Sequence, residues 1–109
     1  MEAMQSILKR LKGRTKDRCL TSKQLCRLVE IDTGHKIYRA DLRRYIHSIR
    51  CDALMAVGSC QGGYWEAQET AEVIEVIDRL NNRVANQLKA IGGLTDVLRA
   101  KDDQLKMSL

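Results

Sequence analysis

Along most of the chain the apolar residues recur at three- and four-residue steps, and between Leu54 and Glu66 that spacing lapses. There Leu54-Met55-Ala56-Val57 forms a short apolar run, Gly58-Ser59-Cys60-Gln61-Gly62-Gly63 carries three glycines, and Tyr64-Trp65-Glu66 is aromatic. Two short runs joined by a glycine-bearing segment predict a β-hairpin. A lone two-stranded hairpin is marginal in water, so it must lean on helices, with Tyr64 or Trp65 as its anchor. As a hairpin-closing pair, the two aromatics are expected to serve the core before they serve as a stacking platform for bases. The fold class follows: mainly α, with one small β-hairpin.

The helical segments are read from their stripes. Between Glu2 and about Lys12, Met4, Ile7, Leu8 and Leu11 fall at i, i+3, i+4 and i+7. The basic connector GRTKDR follows. Thr21 is an N-cap, Gln24 three residues later completes a capping box, and Leu20 with Leu25 forms a hydrophobic staple. That second helix buries Leu25, Leu28 and Val29 and is expected to end near Glu30, where IDTG carries turn chemistry. A third helix, Ile37 to Arg50, sets Leu42, Tyr45, Ile46 and Ile49 on one side. At 100° per residue, Ala40, Arg43, Arg44 and His47 fall on the other, with Arg39 and Arg50 flanking the stripe. One face holds the fold, and the other is free to meet something negative.

From about Glu69 to Ile91 the chain is helical again. Val73, Ile77, Leu80, Val84, Leu88 and Ile91 step by 4, 3, 4, 4 and 3, close to a coiled-coil seam. Gly92-Gly93 is expected to interrupt it, leaving a short last helix with Leu94, Val97 and Leu98. A helix of about 23 residues is roughly 35 Å long, more than one side of so small a domain. The expectation is therefore a homodimer through that seam, with packing back onto the same chain as the alternative.

Charge is divided unevenly. Residues 1–50 carry 13 basic and five acidic side chains, a balance of +8, whereas residues 51–109 carry six and nine, a balance of −3. A basic half of this kind points to a polyanion. No apolar run approaches the roughly 20 residues that span a bilayer, so no membrane role is expected. The opening MEAMQSILKRLKGR reads as an amphipathic basic helix and not as a secretion signal, which implies a reducing, cytoplasmic compartment. The cysteines, Cys19, Cys26, Cys51 and Cys60, form no Cys-x-x-Cys pair, and His35 and His47 stand at no finger-like spacing from them. No metal site, cofactor or small-molecule substrate is expected. Paired carboxylates and nucleophile–base pairs are also missing from the pattern, so the chain is not read as an enzyme.

Two segments carry a resemblance to a known family. LTSKQLCRLVEIDTGHKIYRADLRRYIHSIR resembles a helix-turn-helix pair, and AVGSCQGGYW resembles the wing that follows one. Together the order is similar to that of winged helix-turn-helix domains, in particular small bacteriophage and mobile-element proteins that bind DNA or act in replication. The resemblance covers roughly residues 5–68. It implies a DNA-binding domain over residues 1–68 and a helical extension for packing or oligomerisation over residues 69–109. It also implies a bacterial host cell as the location if the chain is phage-encoded, and a role in transcription regulation or replication initiation. The third helix becomes the recognition helix in the major groove. Arg43 and Arg44, then Arg39, become base or phosphate contacts, and Ala40 meets a thymine methyl. His47 and Lys36 face phosphates, while Thr21, Ser22 and Lys23 offer a helix N-terminus to a phosphate oxygen. The segment read as the wing tip, Gly58 to Gly63, has no charge. That feature supports a second reading, a winged helix that docks an acidic protein and does not touch DNA.

Overall fold

A computed structural model describes residues 1–108. Helix α1 spans Ala3–Leu11, a 3₁₀ turn spans Lys16–Arg18, and helices α2 and α3 span Ser22–Thr33 and Arg39–Cys51. Strands β1 (Val57–Cys60) and β2 (Gly63–Glu66) pair antiparallel, and α4 runs from Thr70 to Ser108. The chain divides into two compact units, Met1–Val76 and the part of α4 from Ile77 onward.

In the first unit the stripes converge as their spacing requires. Ile7 and Leu11 of α1, Leu25 and Val29 of α2, and Leu42, Ile46 and Ile49 of α3 are buried together with Leu20 and Val57. Met4, Leu8, Leu28 and Tyr45 pack at the margin of this core. Burial of this kind supplies about 25 cal/mol for each Å² of apolar surface withdrawn from water, the main favourable term for so small a unit. One polar cluster ties α1 to α2. The Ser6 hydroxyl donates to Asp32 Oδ2 at 2.7 Å and Arg10 Nε donates to the same oxygen at 2.8 Å. The Arg10 guanidinium and the Ser6 hydroxyl hold the Asp32 carboxyl well below the usual carboxylate range.

Thr21 caps α2 as the sequence predicts: Gln24 N–H donates to Thr21 Oγ1 at 3.1 Å, and Thr21 N–H donates to Gln24 Oε1 at 3.0 Å. The helix continues past Glu30 to Thr33 and stops at Gly34, whose φ of 75° is left-handed and whose N–H reaches Glu30 O. Asp32 explains the extra turn, because it must stay helical to face Arg10. At the other end of the loop, α3 begins at Arg39, two residues later than expected. Asp41 Oδ2 accepts the Tyr38 N–H at 2.9 Å, which fixes the start there and leaves Lys36 in the loop.

The hairpin lies three residues further along than its apolar run suggests. Leu54 N–H is drawn to Ile49 O at the end of α3, following Ala53 at φ 54°, and Leu54 is exposed. Asp52 and Ala53 are therefore turn, Leu54 is a bend, and Gly58, Ser59 and Cys60 belong to β1. The turn itself is Gln61-Gly62, a two-residue connection followed by Gly63 at a φ of 142°. Trp65 is the anchor, at 3% exposure, and this removes it as a platform for bases. Gly58 faces it in register, and a methyl on Gly58 would sit 2.3 Å from the indole ring. Among the described residues the Trp65 indole N–H has no hydrogen-bond partner. The hairpin gains a third edge from Leu20, whose backbone pairs with that of Tyr64.

Helix α4 also departs from expectation: it passes through Gly92-Gly93 without a break. Each glycine costs about 1 kcal/mol relative to alanine, too little to break a helix of 39 residues. Continuity brings Ile77, Val84, Ile91, Leu98 and Leu105 to intervals of seven, with Leu80 and Leu94 between them. Gly92 and Gly93 stand about 100° and 200° round from Ile91, away from that line. Ile77, Val84, Leu88, Ile91, Leu94, Leu98 and Leu105 are all exposed, whereas Val73 and Leu80 are half-buried.

Candidate nucleic-acid interface

The buried stripe of α3 fixes what its other side presents. With Leu42, Ile46 and Ile49 turned to the core, Arg39, Ala40, Arg43, Arg44 and His47 are all exposed on the outward surface. Arg39, Arg43 and His47 follow one another at four-residue steps, as do Ala40 and Arg44, so the two rows run side by side along the helix. One acid lies close. Asp41 Oδ1 is 3.8 Å from Arg44 Nη2, a loose and exposed contact that leaves Arg44 80% accessible. His47 Nε2 lies 3.4 Å from Cys51 Sγ, one turn on.

A groove of about 290 Å³ opens between the start of α2, the start of α3 and the hairpin turn. Thr21, Ser22, Lys23 and Arg39 line it from the helices, and Ser59, Gln61 and Gly62 line it from the hairpin. The first N–H groups of a helix have no intrahelical acceptor. Thr21 takes the one on Gln24, and those of Ser22 and Lys23 carry the positive end of the helix dipole. Lys23 and Arg39 add two full charges, and no carboxylate lines the groove. Its chemistry suits a phosphate oxygen.

The structure thus joins Thr21, Ser22, Lys23 and Arg39 in one groove and carries the surface on along α3 through Ala40, Arg43, Arg44 and His47. Lys36 is not on the helix: its ammonium sits 5.4 Å from the centre of the Tyr38 ring, a cation–π contact in the loop. Ser59 and Gln61 also line the groove, which an undivided loop from Gly58 to Gly63 does not anticipate. The signal was present in the X-Gly pair Gln61-Gly62, which marks a tight turn and puts Ser59 on a strand. Arg50 has a different task from the other arginines. Its Nε donates to Val57 O at 2.9 Å and one Nη lies 3.4 Å from Ser59 Oγ, fastening β1 to the end of α3.

Among the described residues no three His, Cys, Asp or Glu side chains gather as a metal-holding group, and no helix is long and apolar enough to cross a membrane. Compared with protein-family models, curated proteins and solved structures, the chain matches none.

Proposed function

We propose that the chain binds duplex DNA through a winged helix-turn-helix unit and acts in transcription regulation or in phage-type replication initiation. One observation carries the reading: α3 buries Leu42, Ile46 and Ile49 in the core and presents Arg39, Arg43, Arg44 and His47 outward beside the groove at the start of α2. In this reading Arg43 and Arg44 reach base edges or phosphates, and Thr21, Ser22, Lys23 and Lys36 set the register on the backbone. Phosphate neutralisation supplies most of the affinity.

The same reading makes the protein a homodimer. An exposed line of Ile77, Val84, Leu88, Ile91, Leu98 and Leu105 on one helix is costly in water, and a second copy is the partner whose seam has the same period. Two copies would double the phosphate contacts and set a half-site spacing.

A second reading rests on the hairpin turn. Gln61-Gly62 has no charge with which to enter a minor groove, and this favours an acidic protein as the partner of the α3 face. Anisotropy titration with a random duplex at low and moderate salt separates the two. The DNA reading expects micromolar or tighter binding that weakens steeply with salt and is lost in Arg43→Ala/Arg44→Ala. Absence of binding at micromolar protein in low salt would transfer the face to a protein partner.

A further inference from the structure

Two thiols lie beside the hairpin turn: Cys60, which also lines the groove, and Cys19, which does not. Cys60 ends β1, and Cys19 immediately precedes Leu20, whose backbone is laddered to Tyr64 of β2. Gly62 sits against both sulfurs: a methyl there would lie 3.2 Å from Cys19 Sγ and 3.8 Å from Cys60 Sγ. The backbone amides of Gly62 and Gly63 and the Lys16 ammonium favour a thiolate at Cys60. The turn thus gathers two sulfurs about one glycine, with amide dipoles and a cation acting on the Cys60 side.

We propose that Cys60 is a peroxide-reactive thiol and that Cys19 resolves it, closing a reversible disulfide between the residue before Leu20 and the end of β1. The Cys60 thiolate attacks one oxygen of hydrogen peroxide; an S–O bond forms, the O–O bond breaks and hydroxide leaves. The Cys19 sulfur then gives up its proton and attacks the Cys60 sulfur. The S–S bond forms, the S–O bond breaks, and the leaving oxygen takes a proton to become water. In sum two thiols lose two electrons and two protons, and peroxide becomes two waters. A dithiol reductant reverses the change.

The two sulfurs are unequal in the sense this order requires. Burial pushes both thiols up, and at Cys19 the neighbouring Cys60 sulfur pushes further in the same direction. At Cys60 the Gly62 and Gly63 amides, the Cys19 thiol and Lys16 together outweigh burial and bring it below the ordinary thiol value. Cys26 has burial alone as its leading influence and sits above that value. Cys51 is exposed, so it is the competitor against which selectivity is judged.

The test treats the full chain with a slight molar excess of hydrogen peroxide, alkylates the remaining thiols under denaturing conditions and maps the peptides. Cys51 and Cys60 share the tryptic peptide that follows Arg50, so a second cleavage before Asp52 is needed to separate them. The titratable thiols should fall from four to two, with the peptides of Cys19 and Cys60 joined, Cys26 and Cys51 alkylated, and a dithiol restoring all four. Cys19→Ser should leave a sulfenic acid on Cys60 that dimedone captures, and Cys60→Ser should abolish both products. Alkylation of the untreated wild type against pH gives a readout free of any variant: Cys60 should react at a lower pH than Cys19 or Cys26. Oxidation falling first on Cys51, a Cys60→Ser protein that oxidises Cys19 as fast as before, or a shared alkylation midpoint would each overturn the assignment.

Discussion

The backbones of Leu20 and Tyr64 exchange two hydrogen bonds, Tyr64 N–H to Leu20 O at 2.8 Å and Leu20 N–H to Tyr64 O at 2.9 Å. This bridge attaches the hairpin to the residue just before the Thr21 cap, and so sets the distance between the turn and that cap. Gly63 makes it possible. Its φ is +142°, and a methyl there would lie 2.0 Å from the Leu20 carbonyl oxygen, a backbone atom that cannot rotate away. Gly63→Ala should therefore destabilise the protein by about 3 kcal/mol, combining backbone strain with a displaced ladder. Gly34→Ala is the control. It has the left-handed φ of +75° but open space around it, and should cost only about 1 kcal/mol. Thermal unfolding of the two variants side by side checks the ranking, and equal losses would mean that the ladder is not what Gly63 protects.

On the α3 face, charge removal should have two separable effects. Lys23 and Lys36 stand at the edges of the surface, where a lysine acts as a point charge toward phosphate. Lys23→Ala should weaken binding to all duplexes alike and lower the salt slope by roughly one unit. Arg43→Ala should also reduce discrimination between duplex sequences, because a guanidinium can bond two guanine acceptors together. Salt-dependent titrations on a selected and a scrambled duplex measure both quantities. A Lys23→Ala protein with altered sequence preference and unchanged slope would contradict this division.

The parts of the fold that were legible in the sequence are those governed by local periodicity. The Leu42, Ile46 and Ile49 stripe and the outward position of Ala40, Arg43, Arg44 and His47 follow from 100° of rotation per residue, and the Thr21–Gln24 capping box follows from the three-residue spacing of its two side chains. Where the first reading departs from the structure, a contact remote in sequence decides. Glu30 is not the end of α2, because Asp32 is held in helix by Arg10 and Ser6, residues on another element. The run from Leu54 to Val57 looked like a strand by composition, yet the end of α3 captures Leu54. Gly92-Gly93 has the composition of a break, but the long helix on either side outweighs a local cost of about 2 kcal/mol. The thiol pair could not be read from spacing at all. Cys19 and Cys60 meet only because Leu20 and Tyr64 do.

Asp32 makes stability depend on pH in a direction its partners determine. Because its folded-state carboxyl titrates below the unfolded value of about 3.9, the native state favours the anion. The contribution is complete above that value and is lost as pH falls through and below it. Asp32→Asn should therefore melt lower than wild type at pH 7, and the gap should narrow steadily below about pH 4. Arg10→Ala should show the same convergence. A gap that stays constant down to pH 2.5 would assign the loss to packing and not to charge.

The α4 glycines allow a test of whether the exposed seam is the surface that matters. Gly92 and Gly93 have nothing within 4 Å of a built methyl, so alanine there adds helix propensity and touches no neighbour. Gly92→Ala/Gly93→Ala should raise helix stability by about 1 kcal/mol per residue without altering which side of α4 is apolar. Leu98→Ser removes apolar surface from the line of seven-residue steps and leaves the glycines alone. If a second copy covers that line, helix and association are linked. The alanine pair should then tighten self-association in analytical ultracentrifugation, Leu98→Ser should loosen it, and circular dichroism at low concentration should lose α4 signal in the serine variant first. A chain that stays monomeric with full α4 helicity in all three forms would show that the helix stands without a second copy, and the dimeric part of the proposal would fall.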